Sequence, residues 1–193
     1  MFDQSILNTF ENTVTDPITK IVTSPQKEYI HEKTCFGNDT EEHIQLMKNA
    51  FHVRQVQMKE GEIAQIALGS WHGWRDLGIG HETGLDIKKN DNSVIIELKN
   101  KYNTCNSGSQ KSILDKLAGY KEKNPHTMCV WGIINPKPNT KSHTKKIIHN
   151  GQEIMKIQGD DLFKIVCEYN DYDYTKEVID IVKKIMYNIN TSV

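Results

Sequence analysis

The chain has 193 residues, enough for one domain with a substantial core and short for two. Hydrophobic residues make up 37% and charged residues 25%, which is a globular composition rather than a disordered one. The net charge of −1 argues against a histone-like or coating protein, and no apolar run approaches the roughly 18 residues of a membrane span.

The opening Met-Phe-Asp-Gln-Ser lacks a basic region followed by an apolar core, so no secretory leader is expected. Cys35, Cys105, Cys129 and Cys167 are widely spaced, with no CxxC pair and no histidine cluster beside them. They read as reduced thiols of a cytoplasmic protein, and no zinc site is expected. Arginine is scarce, with only Arg54 and Arg75 among many lysines.

In chain order, Ile6, Leu7, Phe10 and Val14 fall at helical spacing over 3–14. Asp16-Pro17 predicts the cap and first turn of a second short helix ending before Ser24-Pro25. Residues 26–40 read as a loop, with Asp39 or Thr40 capping the next helix. From Glu41, the residues Ile44, Met47, Ala50, Phe51 and Val56 mark a long helix. Gly61 is expected to break or bend it, and 62–69 to form a further helical stretch. Residues 70–83 read as a loop rich in glycine and aromatics. Within it His72 and Arg75 are candidate DNA contacts, since arginine binds phosphates and guanine edges. Trp71 and Trp74 read as packing residues.

Two apolar runs, 84–88 and 93–98, flank Asn90-Asp91-Asn92 and predict two strands joined by a tight turn. Asp86 falls in the first strand, and Glu97 and Lys99 in the second. Alternation puts Glu97 and Lys99 on one face, and the apolar residues on both faces make this strand central in a covered sheet. Asn106-Ser107 caps a helix over about 107–123 that Asn124-Pro125 stops. The continuous apolar run 127–134 reads as a buried strand, parallel to the second hairpin strand through that crossover helix. The result is β-β-α-β.

Residues 136–150 form the most basic stretch, with Lys137, Lys141, His143, Lys145 and Lys146 and no acid. They read as an extended loop, either contacting DNA or merely exposed. Gly151 turns the chain into a short strand over 153–157, and Asp160 caps the helix after it. Residues 168–174 read as an acidic, tyrosine-rich link. A last helix over 175–189 has a broad apolar face that packs on the core or meets a second subunit.

The chemistry is concentrated in Asp86, Glu97 and Lys99, with ten residues between the two acids. Carboxylates converging from adjacent strands form a hard, oxygen-rich site suited to Mg²⁺. A lysine beside them can hold an attacking water or an incoming phosphate. The pattern points to metal-assisted phosphodiester hydrolysis, against the plainer reading of a surface hairpin with an ordinary Glu/Lys pair.

This pattern, with Leu85-Asp86 in place of Pro-Asp, resembles the PD-(D/E)XK nuclease superfamily. The run Glu97-Leu98-Lys99-Asn100-Lys101-Tyr102-Asn103-Thr104, followed by Asn106-Ser107 and Gln110, resembles the type II restriction endonucleases that cut GGNCC sites. The resemblance covers about residues 55–170 and is strongest from 84 to 120. It implies an α/β fold, a restriction-endonuclease-like core with a central mixed β-sheet flanked by helices. The whole chain 1–193 is then one endonuclease domain: a helical extension over 1–40, a catalytic core over 41–135, and a basic loop with C-terminal helices over 136–193.

The resemblance further implies a Mg²⁺-dependent, sequence-specific double-strand DNA endonuclease of a bacterial or archaeal cytoplasm, leaving 5′-phosphates, with Mn²⁺ able to substitute. Asp86, Glu97 and the Leu98 carbonyl would hold the metal, and Lys99 would act on the phosphate. Glu62 and Gln110 are supporting candidates, each also readable as an ordinary helix-surface residue. Lys101 and Asn103 join the candidate DNA contacts. Cutting both strands of a palindrome calls for a homodimer. The competing readings are a structure-specific repair or recombination nuclease of the same fold, and a non-catalytic DNA-binding protein. The latter predicts loss of one central residue, and all three are present.

Overall fold

The computed structural model describes residues 2–31, 40–78, 80–103, 105–140 and 144–190. Its elements run α1 (Gln4–Thr23), α2 (Glu41–Gly69), β1 (Trp74–Asp76), β2 (Ile87–Lys89), β3 (Val94–Lys101), α3 (Ser107–Lys123), β4 (Met128–Asn135), β5 (Thr144–His149), β6 (Gln152–Gln158), α4 (Asp160–Cys167), β7 (Glu168–Tyr169), β8 (Tyr172–Asp173) and α5 (Thr175–Asn190).

Six strands form one sheet in the order β1-β2-β3-β4-β6-β5. The β1–β2, β2–β3 and β5–β6 pairs are antiparallel, and β3–β4 and β4–β6 are parallel. This is the expected mixed sheet flanked by helices, with β2-β3-α3-β4 as the predicted β-β-α-β unit.

The hairpin forms for local reasons. Asn92 takes a left-handed φ of 63°, which asparagine tolerates, and the Asp91 carboxylate accepts the Ser93 N–H at 2.8 Å. The strand that follows is apolar on both faces. Ile96 and Leu98 enter one core cluster with α1, α2, α4 and α5; Ile95 enters another with Ile113, Leu117 and Ala118 of α3. Ile95 and Ile96 are fully buried, and each contributes about 1.5–3 kcal/mol by leaving water. The sheet is thus covered on both sides, with α3 on one and the other four helices opposite.

Several expectations are corrected. The N-terminal segment is one helix with Pro17 inside it, not two. Leu7, Phe10, Val14, Ile18 and Ile21 are all buried, so the apolar stripe runs straight past the proline, and that burial outweighs the lost N–H bond. Gly61 does not break α2. Instead it lies where the helix meets β3: a Cβ there would sit 3.4 Å from the Asn100 Cβ, at the near edge of ordinary contact. The 70–83 loop contains β1, a strand too short to show a period. Asp86 directly precedes β2 rather than lying within it.

The basic stretch is only partly a loop. Residues 144–149 form edge strand β5, joined to β6 by Asn150-Gly151, both with positive φ. Gly159, not Asp160, is the cap of α4, and Asp160 is its first helical residue. The tyrosine-rich link folds into the small β7–β8 hairpin. Asp39 lies outside the described residues, and Thr40 caps α2 with its hydroxyl accepting from the His43 N–H.

α1 closes against α5 by apolar packing and by a Lys184–Glu11 ion pair of 2.8 Å. Trp71 and Trp74 are buried, as packing residues should be. No helix among the described residues is long and apolar enough to cross a membrane.

Two glycine substitutions test this packing. A Cβ at Gly69 would meet the Asp76 backbone at 2.9 Å, where the end of α2 presses on β1. Gly69→Ala should therefore lower the unfolding free energy in urea by about 1–3 kcal/mol. Gly119→Ala, in α3 with nothing within 4 Å, should raise it by about 0.4–1 kcal/mol.

Candidate active site

The candidate site is built where β2 and β3 part. The Asp86 N–H donates to the Ile96 carbonyl at 3.1 Å, and its own carbonyl accepts from Leu77 at 2.8 Å. Its carboxylate then reaches across and accepts the Leu98 N–H at 2.6 Å. A side chain thus takes the place of a backbone ladder bond at this point. In a strand the N–H and C=O of one residue point to the same side, so the Leu98 carbonyl also faces the Asp86 side.

Glu97 is 4% exposed on the central strand. One carboxylate oxygen, Oε1, accepts from Lys99 Nζ at 2.7 Å, as their shared face requires. The other, Oε2, is buried and has no hydrogen-bond partner. A buried carboxylate oxygen without a donor is costly, and a bound cation relieves that cost. The Asp86 carboxyl is pushed up to about 6 from its ordinary 3.8, first by burial and then by the negative charge of Glu97. The Leu98 N–H, Lys99 and Lys116 oppose this rise. Two carboxylates that repel each other, one with a bare oxygen, and a backbone carbonyl facing the Asp86 side make a donor set that fits a hard divalent ion. No group of three or more His, Cys, Asp or Glu side chains among the described residues is placed to hold a metal. The set here is instead two carboxylates and a main-chain oxygen.

Asp86, Leu98 and Lys99 open into a cleft of about 880 Å³ between the sheet and α2. Glu62 and Gln65 line it from α2, Lys101 from the end of β3, and Asp76 from β1. Gln65 donates to the Asp76 carboxylate at 2.9 Å.

The structure therefore puts Glu62 and Lys101 on the cleft that Asp86 and Lys99 line and leaves other candidates elsewhere. Gln110 is exposed in the first turn of α3, donating to the Cys105 carbonyl at 3.3 Å. Asn103 is exposed just past β3. His72 and Arg75 separate: the His72 ring packs edge-on against Tyr169 at 4.4 Å, while Arg75 sits opposite Lys88 beside Tyr120 of α3. Lys137 is exposed after β4, and Lys145 and Lys146 lie on β5. Lys146 is paired with Glu153 at 2.8 Å. Lys141 and His143 lie outside the described residues.

Arg54, Gln57, Asp76 and Asn100 also line the cleft and were not singled out from the sequence. For Arg54 a signal existed. It lies eight residues before Glu62, on the same helical face.

The family model described as Eco47II restriction endonuclease matches residues 3–188. Over 141 residues the chain is 28% identical to the type II restriction enzyme Sau96I of Staphylococcus aureus, covering 67% of this chain and 50% of that one. Over 90 residues it is 33% identical to the type II restriction enzyme Eco47II of Escherichia coli, covering 44% of this chain and 37% of the relative. The matched stretches thus span half or less of these relatives.

The raised Asp86 value has a consequence for stability. The folded chain holds this proton more tightly than the unfolded one, so the stabilisation is present below about pH 4 and lost as pH rises through 6. Asp86→Asn keeps an acceptor for Leu98 and removes the charge. In EDTA it should be more stable than the parent at pH 8 by about 2 kcal/mol, with the difference vanishing below about pH 4. Urea titrations across that range measure this.

Proposed function

The chain belongs to the Eco47II restriction endonuclease family, and from that premise we propose that it is a Mg²⁺-dependent, sequence-specific endonuclease acting on double-stranded DNA. The observation that carries the reading is the arrangement at β3. A buried Glu97 holds Lys99 with one oxygen and leaves the other bare, beside an Asp86 carboxylate anchored on Leu98.

Asp86, Glu97 and the Leu98 carbonyl would hold the ion, with Mn²⁺ an acceptable substitute. Bound there, a divalent ion supplies charge stabilisation to a phosphodiester under attack. Lys99, half in the cleft and steered by Glu97, orients the attacking water and neutralises charge that grows on the phosphate oxygens. Water adds to phosphorus, the bond to the 3′-oxygen breaks, and the product keeps a 5′-phosphate. Glu62 lines the same cleft from α2 and would support the ion's surroundings.

The GGNCC specificity is proposed from the resemblance in the Glu97–Gln110 run. Cutting both strands of such a palindrome calls for two copies of the site, hence a C2 homodimer. α1 packs against α2 and α5, which supports one endonuclease unit; a bacterial or archaeal cytoplasm is proposed from the resemblance alone.

Digestion of a large plasmid or viral DNA tests this directly. Discrete bands are expected with Mg²⁺ and none with EDTA, and Lys99→Ala should be slower by about 10²–10³-fold. A Mg²⁺-dependent smear, or selective cutting of branched DNA, would move the assignment to a structure-specific nuclease. No cutting by folded protein would favour a DNA-binding role. Independently of turnover, Mg²⁺ should raise the melting temperature of the parent and not of Glu97→Gln, because ion binding stabilises only the form that offers the site.

A further inference from the structure

The N-terminal part of α2 stands out from the core. None of its residues from 41 to 62 is buried, although the helix runs 29 residues. Val53 and Met58 are 55% and 64% exposed. This half of α2 is nonetheless held in place. Gln55 exchanges two hydrogen bonds with the Lys27 backbone, at 2.6 and 2.9 Å. Lys59 Nζ donates to the Ser24 carbonyl at 2.6 Å. From the sheet side, Asn100 Nδ2 donates to the Gln57 carbonyl at 2.6 Å, one residue beyond Lys99 in β3. The rotation of the helix is thereby set relative to the catalytic strand.

With that rotation, Arg54, Met58, Gly61, Glu62 and Gln65 share one face and line the cleft with Asp86 and Lys99. Arg54 lies about 12 Å along the helix axis from the level of Glu62. It is exposed and makes no ion pair or hydrogen bond with any described residue. The carboxylates of the cleft leave its charge unspent, while Lys101 carries the same sign on the strand opposite. A planar guanidinium with five donors recognises paired acceptor atoms on one rigid group.

We propose that Arg54 contacts the DNA duplex from the α2 wall of the cleft, donating to paired acceptor oxygens or nitrogens about two helical turns before Glu62. This rests on the nuclease reading above. Such acceptors occur on phosphates and on the guanine edge.

The test measures binding of the intact chain, in Ca²⁺, to a fluorescent GGNCC duplex and to a scrambled one, over a range of salt concentrations. Arg54→Ala should lose about 10- to 100-fold in affinity for the GGNCC duplex with an unchanged melting temperature. Loss confined to that duplex and not rescued by Arg54→Lys assigns the contact to guanine. Equal loss on both duplexes, a salt slope smaller by about one, and rescue by Arg54→Lys assign it to phosphate. If the parent binds duplex and Arg54→Ala binds as well, within twofold, the assignment is overturned and the nuclease reading stands. If the parent binds neither duplex, both fall.

Discussion

The arrangement depends on a buried carboxylate kept on a central strand. Glu97 sits in β3, paired with β4 on one side at the point where β2 parts on the other, among buried apolar neighbours. Such a position ordinarily excludes charge, because a carboxylate taken from water must recover its solvation from partners. Lys99 supplies part of that recovery at 2.7 Å, and one oxygen remains without a donor. Residual cost of this kind is one that a bound cation would relieve. The rest of the fold provides what makes the cost bearable, since Ile95, Ile96 and Leu98 bury around it and β4 pairs along its length.

Asp86 shows how the geometry is shared between two strands. The hairpin brings it opposite the acid, and its carboxylate fastens on the Leu98 N–H where the strands separate. The same bond that fixes Asp86 also brings it close enough to Glu97 to feel its charge. Repulsion between the two acids and the attraction of a cation are two sides of one placement. α2 then completes the space. It is clamped to β3 by Asn100, which packs beside Gly61. A residue expected to interrupt the helix thus lies instead where the helix meets β3.

The α3 face follows a different logic. Its N-terminus receives the Asn106 side-chain cap, and Ile113, Leu117 and Ala118 seal the sheet beneath it. Arg75 and Lys88 gather near Tyr120 at the β1–β2 edge, away from the cleft. His72 lies against β7. Residues adjacent in one glycine-rich loop are sent to different surfaces because β1 intervenes and fixes the chain direction.

Much of the core was legible in sequence because it is written in local periods. Alternation along 94–99 is enough to put Glu97 and Lys99 side by side, and Asn90-Asp91-Asn92 is enough to demand a turn. The apolar run 127–134 and the stripe on 107–123 similarly require a parallel crossover. Period and turn chemistry act within a few residues, so tertiary packing has little room to overrule them. The three central residues of the candidate site fall inside that range. What only the tertiary structure decided is where separate segments meet. Spacing puts Arg54 on one helical face with Glu62, but nothing local says that this face will be turned toward Asp86. Nothing local in Pro17 says that a buried stripe will carry α1 through it. Nothing local in Thr144–His149 says that β6 is there to pair with it. Those outcomes depend on helix rotation, strand order and long-range burial, which are set by contacts between residues far apart in the chain.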